Sequence, residues 1–153
     1  MKKIVFATGN AGKMKEIREI LADLPVEIYS MKEAGISVEI DENGKTFEEN
    51  AKIKAQTVAG CTDGDMIVLA DDSGLEVDAL NGEPGVYSAR YMGEDTSYRF
   101  KNQSLVGRAG GKKNGTIRLC DCSCLPGWNS LYHQRNDRGK NRLRGTRGER
   151  FWL

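Results

Sequence analysis

The chain has 153 residues, 39% of them apolar and 29% charged, with a formal net charge of +1; this is enough for one domain with a buried core. Its longest apolar runs, Ile4-Val5-Phe6-Ala7 and Met66-Ile67-Val68-Leu69-Ala70, are too short to span a bilayer, and no apolar signal segment follows Met1-Lys2-Lys3; the expectation is a cytoplasmic protein with no membrane partner. The near-neutral total hides two opposite parts: residues 1–105 carry 12 Lys+Arg against 19 Asp+Glu, and residues 106–153 carry 11 against 3. Four cysteines in such a chain predict reduced thiols rather than a disulfide framework.

Taken in order, Lys2-Lys3-Ile4-Val5-Phe6-Ala7 reads as a short buried strand. Thr8-Gly9-Asn10 breaks it, and Met14, Ile17, Ile20, Leu21 and Leu24 then recur at helical spacing. Asn10 is placed to be the N-cap, and Gly12 lets the backbone approach a ligand. Lys13 falls in the first helical turn. Free amides at a helix N-terminus favour anions, and a lysine is electrostatically out of place there unless an anion docks beside it. The loop is not a Walker A motif, because two residues rather than four separate Gly9 from Gly12, and Met14 follows Lys13. An ordinary βα turn with a solvated lysine stays open on the pattern alone.

Val26-Glu27-Ile28-Tyr29 reads as a second strand, followed by an acidic loop, Glu39-Ile40-Asp41-Glu42-Asn43-Gly44. Thr46-Phe47-Glu48-Glu49 is a capping box, opening a helix to about Gly60 with Ala51, Ala55 and Val58 on its packed face. Lys52 and Lys54 on this helix read by default as solvated charges. The run Met66–Ala70 predicts a strand buried on both faces, delivering Asp71-Asp72-Ser73-Gly74 at its carboxyl end, where open α/β sheets bind ligands. Adjacent carboxylates there are costly to ionise together without a cation. A plain surface turn is the competing reading.

Four segments carry a resemblance: Phe6-Ala7-Thr8-Gly9-Asn10-Ala11-Gly12-Lys13, Thr46-Phe47-Glu48-Glu49-Asn50-Ala51, Ala70-Asp71-Asp72-Ser73-Gly74-Leu75 and Pro84-Gly85-Val86-Tyr87-Ser88-Ala89-Arg90-Tyr91. In this order and spacing they resemble the inosine-triphosphate pyrophosphatase family, over residues 1–105. The resemblance implies an α/β fold, an elongated mixed sheet with flanking helices in two lobes around a cleft, and a homodimer. It implies Mg²⁺-dependent hydrolysis of non-standard purine nucleoside triphosphates (ITP, dITP, XTP) to the monophosphate and pyrophosphate, cleansing the nucleotide pool. Carried over, Thr8, Asn10 and Lys13, with Gly9, Ala11 and Gly12 in the same loop, hold the triphosphate together with Lys54. Asp72 is implied as general base and metal ligand, Ser73 touches substrate, and Glu42 is the acidic-loop metal ligand, with Asp41 as its rival. These residue types suit Mg²⁺, which takes carboxylate and phosphate oxygens.

Beyond Leu105 the resemblance stops, and the family's Gly-Phe-Gly-Tyr-Asp-like turn and final Ser-His-Arg-like motif do not appear. A zinc knuckle of Cys120, Cys122, Cys124 and His133 is disfavoured by its CxC spacing. A basic nucleic-acid arm, from Arg138, Lys140, Arg142, Arg144, Arg147 and Arg150 among glycines, makes a non-enzymatic nucleotide- or nucleic-acid-binding protein the alternative. The favoured reading is a frameshift, with no specific nucleic-acid partner. Codons for Val106–Leu153, read from their second base, admit a text resembling the missing family segment. Trp128 before Asn129 and Trp152 before Leu153 each force Gly in that frame, where the family pattern has Gly. The expectation is therefore residues 1–105 as the N-terminal part of the family domain and residues 106–153 as an out-of-frame tail without regular structure, impairing the chain.

Overall fold

The computed structural model describes residues 1–93, 95–110, 115–124 and 131–137, with side chains as far as residue 110 except Glu94 and Tyr98. In chain order the strands and α-helices are β1 (Lys2–Phe6), α1 (Ala11–Ile20), β2 (Val26–Ser30), α2 (Phe47–Ala59), β3 (Met66–Val77), α3 (Tyr98–Arg108), β4 (Gly115–Cys124) and β5 (Leu131–Asp137). The sheet order is β2-β1-β3-β4-β5. β1 pairs in parallel with β2, Ile4 opposite Ile28, and with β3, Ile4 opposite Ile67. The fold is α/β, with a parallel sheet at its centre and flanking helices.

The described residues form two compact units, one built on Met1–Asp72 and joined by Cys120–Gln134, the other on Ser73–Leu119. The first has a core of Val5, Ala7, Ala51, Ala55, Val58, Val68 and Ala70, so one face of β1 and β3 lies against α2. The expected packed face of α2, Ala51, Ala55 and Val58, is fully buried. Small residues on this face let helix and sheet approach closely. Thr46 Oγ1 accepts the Glu49 N–H at 3.1 Å, as the capping box predicts. The reciprocal arm differs by one residue, because Glu49 Oε2 accepts the Lys45 N–H rather than that of Thr46. In α1 Met14 is buried, but Ile20 and Leu24 are exposed, because the helix ends at Ile20 and the apolar repeat continues past the element that would orient it.

Two further expectations change. Asp71–Gly74 are not a turn after the strand; they lie inside β3, which runs on to Val77. The pairing with β1 reaches only Leu69, opposite Phe6, so the acidic pair still sits past the carboxyl edge of the parallel ladder. Residues 106–153, read as lacking regular structure, differ at 115–124 and 131–137, which form β4 and β5. Strand formation depends on a partner edge more than on intrinsic period, and β3 supplies one. Neither the side chains of Cys120, Cys122, Cys124 and His133 nor the run Arg138–Arg150 falls within the described set.

In the second unit, α3 runs through the composition seam, with Leu105 3% exposed. A charge boundary and a boundary between packed units are different things, since charge sits on surfaces and packing follows apolar faces. Ser88 is buried and its Oγ accepts the Leu75 N–H at 2.9 Å. Buried Lys101 donates to the Ala89 carbonyl at 3.0 Å.

Candidate active site at the carboxyl edge of the sheet

The turn after β1 builds the first wall of the site. Asn10 is the N-cap of α1, its Oδ1 accepting the N–H groups of Gly12 at 2.8 Å and Lys13 at 3.2 Å. Thr8 Oγ1 in turn accepts the Asn10 N–H at 3.1 Å. Gly9 and Ala11 are exposed, and Thr8, Asn10, Gly12 and Lys13 half-buried. The loop is thus a self-braced turn ending on a helix N-terminus, a location whose backbone dipoles favour anions. The anion beside Lys13 is a protein carboxylate: Lys13 Nζ lies 2.6 Å from Asp71 Oδ2, and Asp71 is 6% exposed.

The second wall comes from α2, the acidic loop and β3. Lys54 Nζ lies 3.0 Å from Glu42 Oε2 and 3.0 Å from Asp72 Oδ1, and donates to the Asp71 carbonyl at 3.2 Å. One ammonium therefore bridges two carboxylates, and a residue that reads as solvated surface in the sequence is three-quarters removed from water or more. Burial pulls the Lys54 pKa down, but the Asp72 and Glu42 charges outweigh it and the net shift is upward. For Asp72, burial dominates and raises its pKa despite the Lys54 charge. A carboxylate so placed is a better proton acceptor than one in water.

Asp72 also has an oxygen to spare. Its Oδ2 is buried and makes no hydrogen bond among the described residues, and the same holds for Asn50 Nδ2. The Asn50 amide is near enough to favour the charged form of Asp72, but the two atoms stop short of a bond. An orphaned carboxylate oxygen costs about 1–3 kcal/mol or more and marks a place where a further group is expected.

Of the two acidic-loop candidates, Glu42 meets the cluster, whereas Asp41 is exposed and accepts from Asn43 Nδ2 at 3.2 Å. The cause is parity. Burial alternates along this segment, with Ile36, Val38, Ile40 and Glu42 inward and Ser37, Glu39 and Asp41 outward, and the three apolar members pack on the core. Ser73, next after Asp72 on β3, is half-buried. Sequence reasoning assigned nothing to Asp71 as the partner of Lys13, nor any role to Asn50. The available signal for Asn50 was an amide in a helix interior, a position where Asn is disfavoured unless its side chain has a local task.

A braced helix N-terminus, two lysines and a carboxylate cluster thus gather at the carboxyl edge of the parallel sheet of an α/β protein, the edge where open α/β sheets bind ligands. The chain belongs to the Ham1 family, whose model matches residues 4–140. That match runs past Leu105, farther than the four motifs reach. Among curated relatives, it is 51% identical over 110 residues to a dITP/XTP pyrophosphatase of Clostridium perfringens, covering 69% of this chain and 54% of that one. It is 51% identical over 104 residues to the protein of that name in Thermoanaerobacter pseudethanolicus, covering 68% and 52%. The chain thus spans about half the length of these relatives. Among solved structures, the Staphylococcus aureus Ham1 protein superposes with a TM-score of 0.76 at 35% identity, over 87% of this chain and 68% of that one. A HAM1 protein from Coxiella burnetii gives 0.77 at 31% identity, over 89% and 71%.

Proposed function

We propose that this chain carries the catalytic half of a pyrophosphatase acting on non-standard purine nucleoside triphosphates such as dITP and XTP, releasing the monophosphate and pyrophosphate. The observation that carries this reading is the Lys54-bridged pair Glu42 and Asp72, with a buried Asp72 oxygen that has no partner among the described residues, in a relative of dITP/XTP pyrophosphatases.

The donor set fits a divalent cation. Glu42 and Asp72 offer hard carboxylate oxygens, one of them orphaned, as Mg²⁺ prefers, and these two residues would hold it. When bound, the ion supplies charge neutralisation and lowers the pKa of water. In the proposed reaction a water attacks the α-phosphorus while Asp72 accepts its proton. The α–β phosphoanhydride bond breaks and pyrophosphate leaves with the bonding electrons. Lys13 and Lys54 offset the charge that gathers on the departing oxygens. Each ammonium has three donors, so Lys13 keeps Asp71 while turning a second N–H to phosphate. Thr8, Asn10 and Gly12 brace the turn through their own hydrogen bonds, so that the exposed Gly9 and Ala11 present their backbone to the triphosphate, and Ser73 lies next to the reacting carboxylate. The family reading also supports a cytoplasmic homodimer.

The test is pyrophosphate release from ITP, XTP and GTP with Mg²⁺ and with EDTA. Metal-dependent turnover favouring ITP and XTP over GTP is expected; equal turnover of all three, or none by a version read in frame past Leu105, refutes the assignment. We propose further that the text past Leu105 is out of frame and that this chain turns over ITP more slowly than the in-frame version. Equal rates, or a gene sequence whose second frame lacks the family's continuation, refute this.

A further inference from the structure

Asn50 sits at the second turn of α2 and is 1% exposed. Its Oδ1 accepts the Gly44 N–H at 2.8 Å, reaching from the helix to the end of the acidic loop. The approach is so close that a Cβ on Gly44 would lie 2.6 Å from that oxygen, 2.8 Å from Glu49 Cβ and 2.9 Å from the Asn50 nitrogen. Glycine at 44 is therefore required by contact with the helix, not by its backbone angles. Two residues before it is Glu42, whose carboxylate meets Lys54. The other end of the amide, Nδ2, is buried near Asp72, and among the described residues neither Nδ2 nor Asp72 Oδ2 has a hydrogen-bond partner. One side chain thus bonds the acidic loop and lies near Asp72.

We propose that Asn50 is a positioning residue of this site, clamping the acidic loop through Gly44 so that Glu42 stays in register with Lys54 and Asp72. The amide suits this post because its oxygen holds the loop while its uncharged NH₂ faces Asp72, where a second carboxylate would repel it. The Mn²⁺ arm of the test below rests on the cation site proposed for Glu42 and Asp72; the exchange arm does not.

The test uses the full chain with Asn50→Ala and Asn50→Asp, amide hydrogen exchange resolved to Gly44, and calorimetric titration with Mn²⁺ alone. In Asn50→Ala, protection of the Gly44 amide falls about tenfold while amides of Ala55–Ala59 hold within about twofold, and Mn²⁺ binds about tenfold more weakly. Asn50→Asp retains an acceptor for Gly44 and keeps that amide's protection within about twofold. Unchanged Gly44 protection and Mn²⁺ affinity in Asn50→Ala overturn the proposal, as does a loss of protection spread evenly over α2, which a merely structural role predicts. Should Asn50→Ala fail to fold, loss of Gly44 protection in Asn50→Asp overturns it and retention supports it. Wild-type chain that binds no Mn²⁺ overturns the cation site, while the exchange result still decides the role of Asn50.

Discussion

Replacing Lys54 by Met isolates the electrostatics of the site from its packing. The ammonium lies 3.0 Å from each of two carboxylate oxygens, and the side chains of Lys54, Asp72 and Glu42 are 14%, 11% and 35% exposed. Met keeps the length of the unbranched four-atom stem and removes the ammonium, and with it the charge and the hydrogen bond to the Asp71 carbonyl. Breaking a fully buried ion pair costs about 3–5 kcal/mol, because it strands the partner charge. Water reaches Glu42 and absorbs part of this, so about 3 kcal/mol is expected for Lys54→Met, a fall of roughly 6–12 °C in Tm for a chain of this size. If stranded charge is the cause, adding Asp72→Asn to Lys54→Met recovers about 1–2 kcal/mol. Urea denaturation of the wild type, both single variants and the double variant, near neutral pH with EDTA present, gives all four corners of the cycle. A Lys54→Met midpoint equal to that of the wild type, or no recovery in the double variant, refutes the reasoning and means that the carboxylates are solvated.

The remaining expectations are more local. Asp72→Asn on its own lowers ITP turnover about 10²–10⁴-fold, the usual weight of a general base, while its urea midpoint falls less than that of Lys54→Met, since burial already disfavours the charged carboxylate. Turnover retained within a few-fold by steady-state assay removes Asp72 from the proposed role. Thr46→Ala removes the oxygen that receives the Glu49 N–H and costs about 1 kcal/mol of stability by denaturant titration. Glu33 is held at a pKa of about 2 by the Ser30 N–H, the Ser30 hydroxyl and Arg18, against an ordinary 4.5. Its folded pKa is depressed, so the stability it lends is fully present above about pH 4.5 and is lost as pH falls towards 2. The stability difference between wild type and Glu33→Gln is therefore largest near neutrality and closes across that window; a difference independent of pH refutes the assignment.

Much of the frame was legible from the chain because it depends on neighbours in sequence. Asn10 and Thr46 cap the helices they were expected to cap, since a cap needs only a side-chain oxygen and an amide two or three residues on. Ala51, Ala55 and Val58 are buried as their spacing requires, since the helix fixes which residues share a face. The chain's own pattern did not reveal that Lys54 is buried or that Lys13 has a partner, because these contacts join residues on different elements, Lys54 with Glu42, Asp71 and Asp72 and Lys13 with Asp71.

The sequence by itself determined the strand–turn–helix units and their caps, and supplied the residues proposed for phosphate chemistry. The tertiary structure decided which of them meet. Parity along residues 36–42, pinned by Ile36, Val38 and Ile40 on the core, turns Glu42 to Lys54 and Asp41 to solvent. The end of the β1–β3 ladder at Leu69 leaves Asp71 and Asp72 beyond the parallel pairing although the strand itself continues. Local rules depend on spacing along one chain, whereas a charge cluster depends on the register between segments, and that register is set by packing of a core distant in sequence from the charges it brings together.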